Sequence, residues 1–327
     1  MDRDELELAP DLRDDDQQAD ITAATAGIAP KETLALSHSQ VETFSQCPRR
    51  WWLLKRAGVR RAPSESLILG LAVHTAIEVD LRARLEGEAH PMAAATLDAP
   101  LAAAFAALYA EEDPTGLIAP DRRELLQEQG RAVLRAYERI ASRMRPVEIE
   151  REFAFPHPDD PSITFTGRMD GVTQPDHGTQ ERTIVDWKVP RRPWQPGEED
   201  RRIQAAAYLW AEARMGWERS ARFTFVTFPP ADPRASESNG EAGPRTVDAR
   251  PTYRTPGALN AYARLVRDTA ARIRELEPWG EEGFPARTSG LCPWCEVRGA
   301  CPTGQRYVRT RGLTPRVPEL PPEPAAG

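Results

Sequence analysis

The chain has 327 residues, a mass of 36.4 kDa and a formal net charge of −7. This length is enough for one large domain with a full hydrophobic core. The longest largely apolar stretch, residues 67–77, is too short to span a bilayer, so we expect no membrane partner. No basic leader with an apolar centre opens the chain, and we therefore expect a cytoplasmic protein.

The negative charge does not exclude a nucleic-acid partner, because it is concentrated at one end of the chain. Residues 1–20 hold nine acidic and two basic residues, and the remaining 307 residues balance at 41 of each. A neutral body with uneven charge can still carry a basic groove. Residues 1–35 are acidic and then rich in Ala and Thr, and this composition predicts disorder.

The first predicted helix is opened by a capping box formed by Ser39 and Glu42. Residues 49–61 then contain six basic residues and no acidic one, with Trp51 and Trp52 among them. Such a segment suits a phosphate backbone and unstacked bases. It suits equally a helix with a Trp pair in the core and a solvated basic face.

A helical insertion is predicted over about residues 66–145, as helices at 66–86, 92–111 and 120–144. The first of them carries His74 and Glu78, which are four residues apart and therefore on one face. A single histidine on a helix is usually structural, so this pair alone does not indicate a metal site.

Two carboxylates and a lysine mark the strands that follow, predicted at 147–155, 162–173 and 182–189. Asp186 and Lys188 are two apart on the third strand and face the same way. Turn-forming residues 175–178 predict a hairpin that brings Asp170 beside them. Two carboxylates and an ammonium group suit a hard divalent cation and a polarised water. An Asp-x-Lys pair alone is usually a chance surface pattern, but only three of the 43 basic residues here are lysines.

A helix predicted at 199–215 places Gln204 and Tyr208 on one face, a spacing that an ordinary amphipathic helix also shows. The remaining predicted elements are a strand at 221–228, a surface insertion at 229–257 with a short strand at 245–249, a helix at 256–276 and a flexible Pro-rich tail at 307–327.

All four cysteines occupy positions suited to one shared centre. Cys292, Cys295 and Cys301 lie in the loop 291–302, and Cys47 comes from the other end of the chain. Four thiolates complete either a zinc site or an iron–sulfur cluster, and the spacing alone favours neither. Disulfides are not expected in a cytoplasmic chain. Either centre would join the two ends of the domain.

Taken in order, these motifs resemble the PD-(D/E)XK nuclease superfamily, in its RecB-like branch with an iron–sulfur cluster. That branch includes nuclease domains of bacterial helicase–nuclease complexes and CRISPR adaptation nucleases. The resemblance covers about residues 37–305, and no Pro precedes Asp170, which is its one departure. The matching segments are Ser37-x-Ser39 through Cys47-Pro48-Arg49-Arg50-Trp51-Trp52, Gly70-x-x-x-His74-x-x-x-Glu78, Gly167-Arg168-x-Asp170, Asp186-Trp187-Lys188, Gln204-x-x-x-Tyr208 and the three closing cysteines.

The resemblance implies an α/β fold of the restriction-endonuclease type, with a central mixed β-sheet flanked by helices, in a nuclease domain at residues 36–306. It favours a [4Fe–4S] cluster over zinc at the four cysteines. The implied ligands of Mg²⁺ or Mn²⁺ are His74, Asp170, Asp186 and the Trp187 carbonyl. The implied catalytic set, in which Lys188 acts on the attacking water, is Asp170, Asp186, Lys188, Gln204 and Tyr208.

The implied function is metal-dependent hydrolysis of DNA, as an exonuclease in repair, recombination or defence, on single-stranded or end-containing DNA. No Gly-x-x-x-x-Gly-Lys-[Ser/Thr] run exists in the chain, so processive work on duplex DNA would need a separate helicase. One alternative is a non-catalytic DNA-end-binding or cluster-bearing subunit of the same fold. Another is a zinc-stabilised interaction protein with incidental acidic residues.

Overall fold

The computed structural model describes residues 33–174, 182–215, 222–230 and 244–318. The strands are β1 Leu34–Ser37, β2 Arg145–His157, β3 Asp160–Gln174, β4 Thr183–Lys188, β5 Arg222–Thr227 and β6 Asp248–Thr252. The helices are α1 His38–Gln46, α2 Pro48–Lys55, α3 Glu65–Leu85, α4 Asp98–Glu112, α5 Pro120–Ala141, α6 Ile203–Arg214, α7 Pro256–Leu276, α8 Gly280–Gly283 and α9 Pro302–Thr310.

Hydroxyl side chains open three of these helices. Ser37, Ser64 and Thr255 each accept a hydrogen bond from a backbone N–H in the first turn of the helix that follows. The cap of α1 is therefore Ser37, and the prediction of a capping box at Ser39 was wrong by two residues. Ser39 instead shares a hydrogen bond with the capping hydroxyl.

The six strands form one mixed sheet in the order β1-β3-β4-β5-β6, with β2 paired to β3. The β2–β3, β3–β4 and β5–β6 pairs are antiparallel, and the β1–β3 and β4–β5 pairs are parallel. The predicted α/β fold, with a mixed sheet flanked by helices, is confirmed. The turn predicted at residues 175–178 lies outside the described residues, although the antiparallel pairing of β3 and β4 is the one it predicted.

Two hydrophobic layers cover the two faces of the sheet. One contains side chains of α1, α6 and α7, and the other contains side chains of α3, α4 and α5. Along β4, Ile184 packs into the first layer, whereas Val185 and Trp187 pack into the second. Because strand side chains alternate, Asp186 and Lys188 face the α6 side of the sheet.

Several predicted boundaries differ from the structure. The first strand begins at Leu34, inside the segment 1–35 that was predicted to be disordered. The helix predicted at 92–111 is a 3₁₀ turn followed by α4, with a proline in the first turn of α4. The helix α6 begins at Ile203 rather than at 199, and the strand predicted at 245–249 is β6.

At the C-terminal end, α9 continues four residues past the predicted domain end at 306. The backbone N–H of Arg316 then bonds to the Pro293 carbonyl at 2.8 Å, so this part of the predicted tail packs on the cysteine loop. No helix among the described residues has the length and apolar composition needed to cross a bilayer.

Candidate active site

The candidate site forms where β3 changes its neighbour. β2 pairs along one edge of β3 for nearly its whole length, so β1 and β4 share the other edge. β1 ends opposite Thr166, and the pairing with β4 starts opposite Gly171. Within the described part of the chain, residues 167–170 therefore meet no strand on that edge. Asp170 lies in this gap, where β4 diverges from β3.

Asp170 is held by the diverging strand and by α3. Its Oδ2 accepts a hydrogen bond from the Trp187 backbone N–H at 3.1 Å and lies 3.5 Å from His74 Nδ1. The other ring nitrogen, His74 Nε2, lies 2.8 Å from the Trp187 carbonyl oxygen. Because a carbonyl can only accept, we assign the proton to Nε2. His74 Nδ1 is then the nitrogen that faces the carboxylate.

Asp186 is 1% exposed, and its two oxygens have different partners. Oδ1 accepts from Gln204 Nε2 at 2.6 Å, and Lys188 Nζ lies 2.6 Å from Oδ2. The ammonium lies off the direction of a good hydrogen bond, so Oδ2 has an ion-pair partner but, among the described residues, no directed donor. Burial raises the pKa of Asp186, the Lys188 charge opposes the rise, and the Asp170 charge adds to it.

The helix α6 brings Gln204 and Tyr208 to the same side of the sheet as Asp186. Tyr208 is 8% exposed and shares a hydrogen bond with Gln204. Burial raises the pKa of Tyr208, and the charges of Asp186 and Asp170 raise it further, so the phenol stays protonated. Gln204 therefore contacts the site directly, and Tyr208 reaches it through Gln204.

Two carboxylates near Asp170 were not among the predicted site residues. Glu150 on β2 lies across from Asp170 in the β2–β3 register and has a left-handed φ of 48°. Burial raises the pKa of Glu150; Arg168 opposes this rise, whereas Asp170 and Glu78 add to it. The spacing of the histidine motif already pointed to Glu78. Glu150 follows only from the strand register, which local patterns did not provide.

The donor set fits a hard divalent cation in its chemistry. Carboxylate oxygens with one imidazole suit Mg²⁺ or Mn²⁺, and Asp186 Oδ2 is a buried acceptor without a directed donor. Nevertheless, no group of three or more His, Cys, Asp or Glu side chains in the described ranges is arranged to hold a metal ion. The two carboxylates face Lys188 and His74 rather than one common point, so cation binding requires them to turn.

The four cysteines line one cavity of about 170 Å³ and are not disulfide-bonded. Each sulfur accepts a hydrogen bond from a backbone N–H. The donors are Arg287 for Cys47 and Ser289 for Cys292, both at 3.4 Å. Gly304 donates to Cys301 at 3.3 Å, and Val297 donates to Cys295. Such donors are typical of thiolates that bind a metal or a cluster. Burial raises the pKa of Cys295 to about 11, so a positively charged centre is needed to keep this sulfur ionised.

The basic segment 49–61 is largely neutralised within the fold. Its ion pairs are Arg49–Glu281, Arg50–Glu296, Arg56–Glu277 and Arg61–Glu112. Trp51 is fully buried and stacks on Phe284 with ring centroids 5.7 Å apart. For Trp51, the interpretation as a core residue is therefore the correct one.

Comparison with known proteins identifies the family to which this chain belongs. Residues 35–302 match the family model of the PD-(D/E)XK nuclease superfamily. Among solved structures, a "Putative exonuclease" from Eubacterium rectale is 14% identical, covering 89% of this chain and 91% of that one, with a TM-score of 0.45. The crystal structure of SSO0001 is 12% identical, covering 85% and 90%, with a TM-score of 0.38. No curated protein matches the sequence. The family match spans most of the sequence, and the chain therefore belongs to the PD-(D/E)XK nuclease superfamily.

Proposed function

We propose that this chain is a metal-dependent DNA nuclease of the RecB-like branch, which hydrolyses phosphodiester bonds as an exonuclease and carries a structural [4Fe–4S] cluster. The main support is the junction of β3 and β4, where Asp170 and the Asp186–Lys188 pair meet around the Trp187 backbone. A subunit that only binds DNA has no need of a buried carboxylate paired with a lysine, so this arrangement favours catalysis.

Asp170, Asp186 and His74 Nδ1 would hold Mg²⁺ or Mn²⁺. The Trp187 carbonyl, which here accepts from His74 Nε2, would become a further donor after the His74 ring turns away from it. When bound, the ion would neutralise charge on the phosphodiester and acidify a water molecule. Gln204 occupies Oδ1 of Asp186, so the ion would bind at Oδ2, from which the Lys188 ammonium, now 2.6 Å away, would have to withdraw. The hydrogen bond from the Trp187 amide to Asp170 Oδ2 limits how far this carboxylate can turn on binding.

Lys188 is the part of the pair that solvent reaches. Its side chain is 32% exposed, whereas that of Asp186 is 1% exposed. A water and the scissile phosphate can therefore approach from the lysine side. The ammonium group would orient that water and offset the charge that develops on the phosphate.

The cluster is proposed from the four sulfurs around one cavity. A zinc ion holds thiolates at about 2.3 Å, so the four sulfurs would crowd around a single point. A cluster holds its ligands further apart, and we favour it because the four sulfurs line one cavity and the motifs resemble the cluster-bearing branch. The cluster would clamp the C-terminal loop to α2 and have no redox step in the reaction.

Replacing Lys188 tests the proposed activity, and Lys55, an exposed lysine at the end of α2, is the matched control. Lys188→Ala should lower Mg²⁺- or Mn²⁺-dependent cleavage of end-labelled DNA by about 10²–10⁴-fold, because it removes charge stabilisation and water positioning. The variant should still fold and bind DNA, with a lower melting temperature because Asp186 loses its ion-pair partner, and Lys55→Ala should cut normally. A Lys188→Ala protein that cuts at the wild-type rate would contradict the assignment.

Product lengths in the same assay separate exonuclease from endonuclease action on single- and double-stranded DNA. Short products released from the start of the reaction support an exonuclease, whereas internal fragments contradict it. Because the chain has no P-loop, we propose that it acts with a separate helicase on duplex DNA, in repair, recombination or defence.

A further inference from the structure

One buried charge in the structure has no described counter-charge. Arg245 is 7% exposed and donates from Nη1 to the carbonyls of Pro190 and Phe228, both at 3.0 Å, and from Nη2 to Gln129 Oε1 at 3.4 Å. All three acceptors are neutral. Burial lowers the pKa of Arg245 to about 10, so the guanidinium remains charged at neutral pH. A buried cation without an anion is costly unless a ligand supplies the anion.

Arg245 borders a pocket of about 130 Å³ that two further arginines line. Arg122 and Arg191 stand with it, and the one acidic lining residue is Glu65, whose carboxylate is bound by Arg122 at 2.7 and 3.1 Å. Arg191 donates to Ser66 Oγ at 2.9 Å in the first turn of α3. The lining therefore has three cations and one anion, beside the positive end of a 21-residue helix.

The pocket lies on the α3 and α5 side of the sheet and is connected to the candidate active site through the segment that follows Lys188. Its wall includes residues 189–191, which directly follow Lys188. The Phe228 N–H donates to the Lys188 carbonyl at 2.8 Å, and the Phe228 carbonyl accepts from Arg245. At an extended rise of about 3.3 Å per residue, Pro190 lies about 7 Å from Lys188. A DNA strand whose scissile phosphate lies at Lys188 can therefore place a neighbouring phosphate at this pocket.

We propose that this pocket binds the terminal phosphate of the DNA strand that is cut; the proposal rests on the nuclease function above. Arginine forks match phosphate oxygens and form charge-assisted hydrogen bonds with them. A terminal monoester can enter a small pocket whose innermost cation is buried, whereas an internal diester needs a groove open at two sides. The monoester also carries about −1.5 to −2 charge at pH 7, so it interacts more strongly with the buried Arg245 than a singly charged diester does.

Binding to labelled single strands tests the proposal without cleavage. The full-length protein, without divalent cation, is titrated against one oligonucleotide that carries either a phosphate or a hydroxyl at its 5′ or 3′ end. One phosphorylated end should bind at least tenfold more tightly than its hydroxyl counterpart. Arg122→Gln and Arg245→Gln should reduce this preference to less than threefold. The control Arg272→Gln, on α7 and paired with Glu275, should retain it.

Equal affinity for phosphate and hydroxyl ends would overturn the proposal, as would a full preference in Arg122→Gln. Arg122 is on the exposed rim, so this variant decides the question if Arg245→Gln does not fold. Inorganic phosphate that raises the melting temperature, without any end preference on DNA, would identify a site for the free anion and also overturn it.

The experiments can contradict the phosphate-pocket proposal and the nuclease proposal independently of each other. If the protein binds phosphorylated ends preferentially but does not cut DNA, the phosphate-pocket proposal is supported and the nuclease assignment is contradicted. If the protein binds and cuts phosphorylated and hydroxyl ends equally well, the nuclease assignment is supported and the phosphate-pocket proposal is contradicted.

Discussion

Charged side chains in this protein differ in how their burial is compensated. Asp186 has Lys188 and Gln204, and Asp170 has a backbone amide and His74. Glu150 faces Asp170 from a backbone conformation that non-glycine residues adopt at a cost of about 1–3 kcal/mol. Residues kept in such a conformation next to a site are candidates for a functional role, and Glu150 can be tested as one.

We predict that Glu150→Gln lowers cleavage at least tenfold while the melting temperature changes little. The carboxylate adds negative charge beside Asp170 and so favours the cation that Asp170 would hold. Glu152→Gln, two residues along β2 and exposed, should cleave like the wild type. Parallel cleavage assays over a range of Mg²⁺ concentrations check this. If both variants behave alike, Glu150 has no special role in the site.

Glu212 predicts a pH-dependent part of the folding free energy. Burial raises the pKa of Glu212 from 4.5 to about 7, against the opposing charge of Arg151. Between about pH 4.5 and 7 the folded protein retains a proton that the unfolded chain has released, so its stability falls as pH rises through this window. Glu212→Gln should remove this loss of about 3 kcal/mol.

Urea unfolding of the wild type and of Glu212→Gln at pH 5 and pH 8 measures that contribution. The free energy of unfolding of the variant minus that of the wild type should be larger at pH 8 than at pH 5. Other groups titrate in both proteins and cancel in the difference. An equal difference at the two pH values would show that Glu212 is ionised in the folded state.

Among the secondary-structure elements, the β2–β3 hairpin determines where the site can form. Its long pairing occupies one edge of β3 and leaves the other edge to β1 and β4 in turn. Gly167 starts the gap between them and packs against the ring of Phe153. That ring is held between Phe165 and Tyr208, with centroid distances of 5.7 and 6.1 Å. The glycine of the Gly-Arg-x-Asp motif is therefore required by packing.

Gly167→Ala should destabilise the fold by about 1–3 kcal/mol, because the new methyl group would overlap the Phe153 ring. Gly171→Ala is the matched control, since the nearest atom to its methyl group would be the Glu148 carbonyl oxygen at 4.0 Å. Denaturant unfolding of both variants measures the difference. Equal stability of the two variants would mean that the Phe153 ring can move away without cost.

Across the whole molecule, the cysteine loop connects distant parts of the chain. Cys47 joins it from the N-terminal side, and the Arg50–Glu296 pair at 2.8 Å lies beside the cavity. Trp294, between two of the cysteines, stacks against Arg191 at 4.8 Å, three residues after Lys188. Loss of the proposed cluster should therefore disturb the segment that follows the lysine as well as the chain ends.

Cys47→Ser should lower the iron and sulfide content of anaerobically purified protein and reduce its melting temperature by several degrees, because the centre closes a very long loop. The wild type should be brown. Colourless wild-type protein with one zinc per chain would support the zinc alternative instead. Unchanged iron and stability in the variant would remove Cys47 from the ligand set.

Much of the fold and of the site followed from sequence alone. Helical periodicity located α3, α5 and α7, and alternation placed Asp186 and Lys188 on one face of β4, because these features depend on neighbours within a few residues. The order of the motifs indicated the family that the match over residues 35–302 shows. The proposed roles of the site residues stay predictions.

Only the tertiary structure decided the features that depend on distant residues. The position of Glu150 opposite Asp170 depends on strand register, and the neutralisation of residues 49–61 depends on glutamates more than 50 positions away. The burial of the Arg245 charge depends on packing between Phe228, which follows β5, Gln129 of α5 and the segment after Lys188. Local sequence patterns determine which groups are present and which way they face. Burial and pairing of charges arise only when separate segments are brought together, because the atoms that bury or pair a charged group come from distant parts of the sequence.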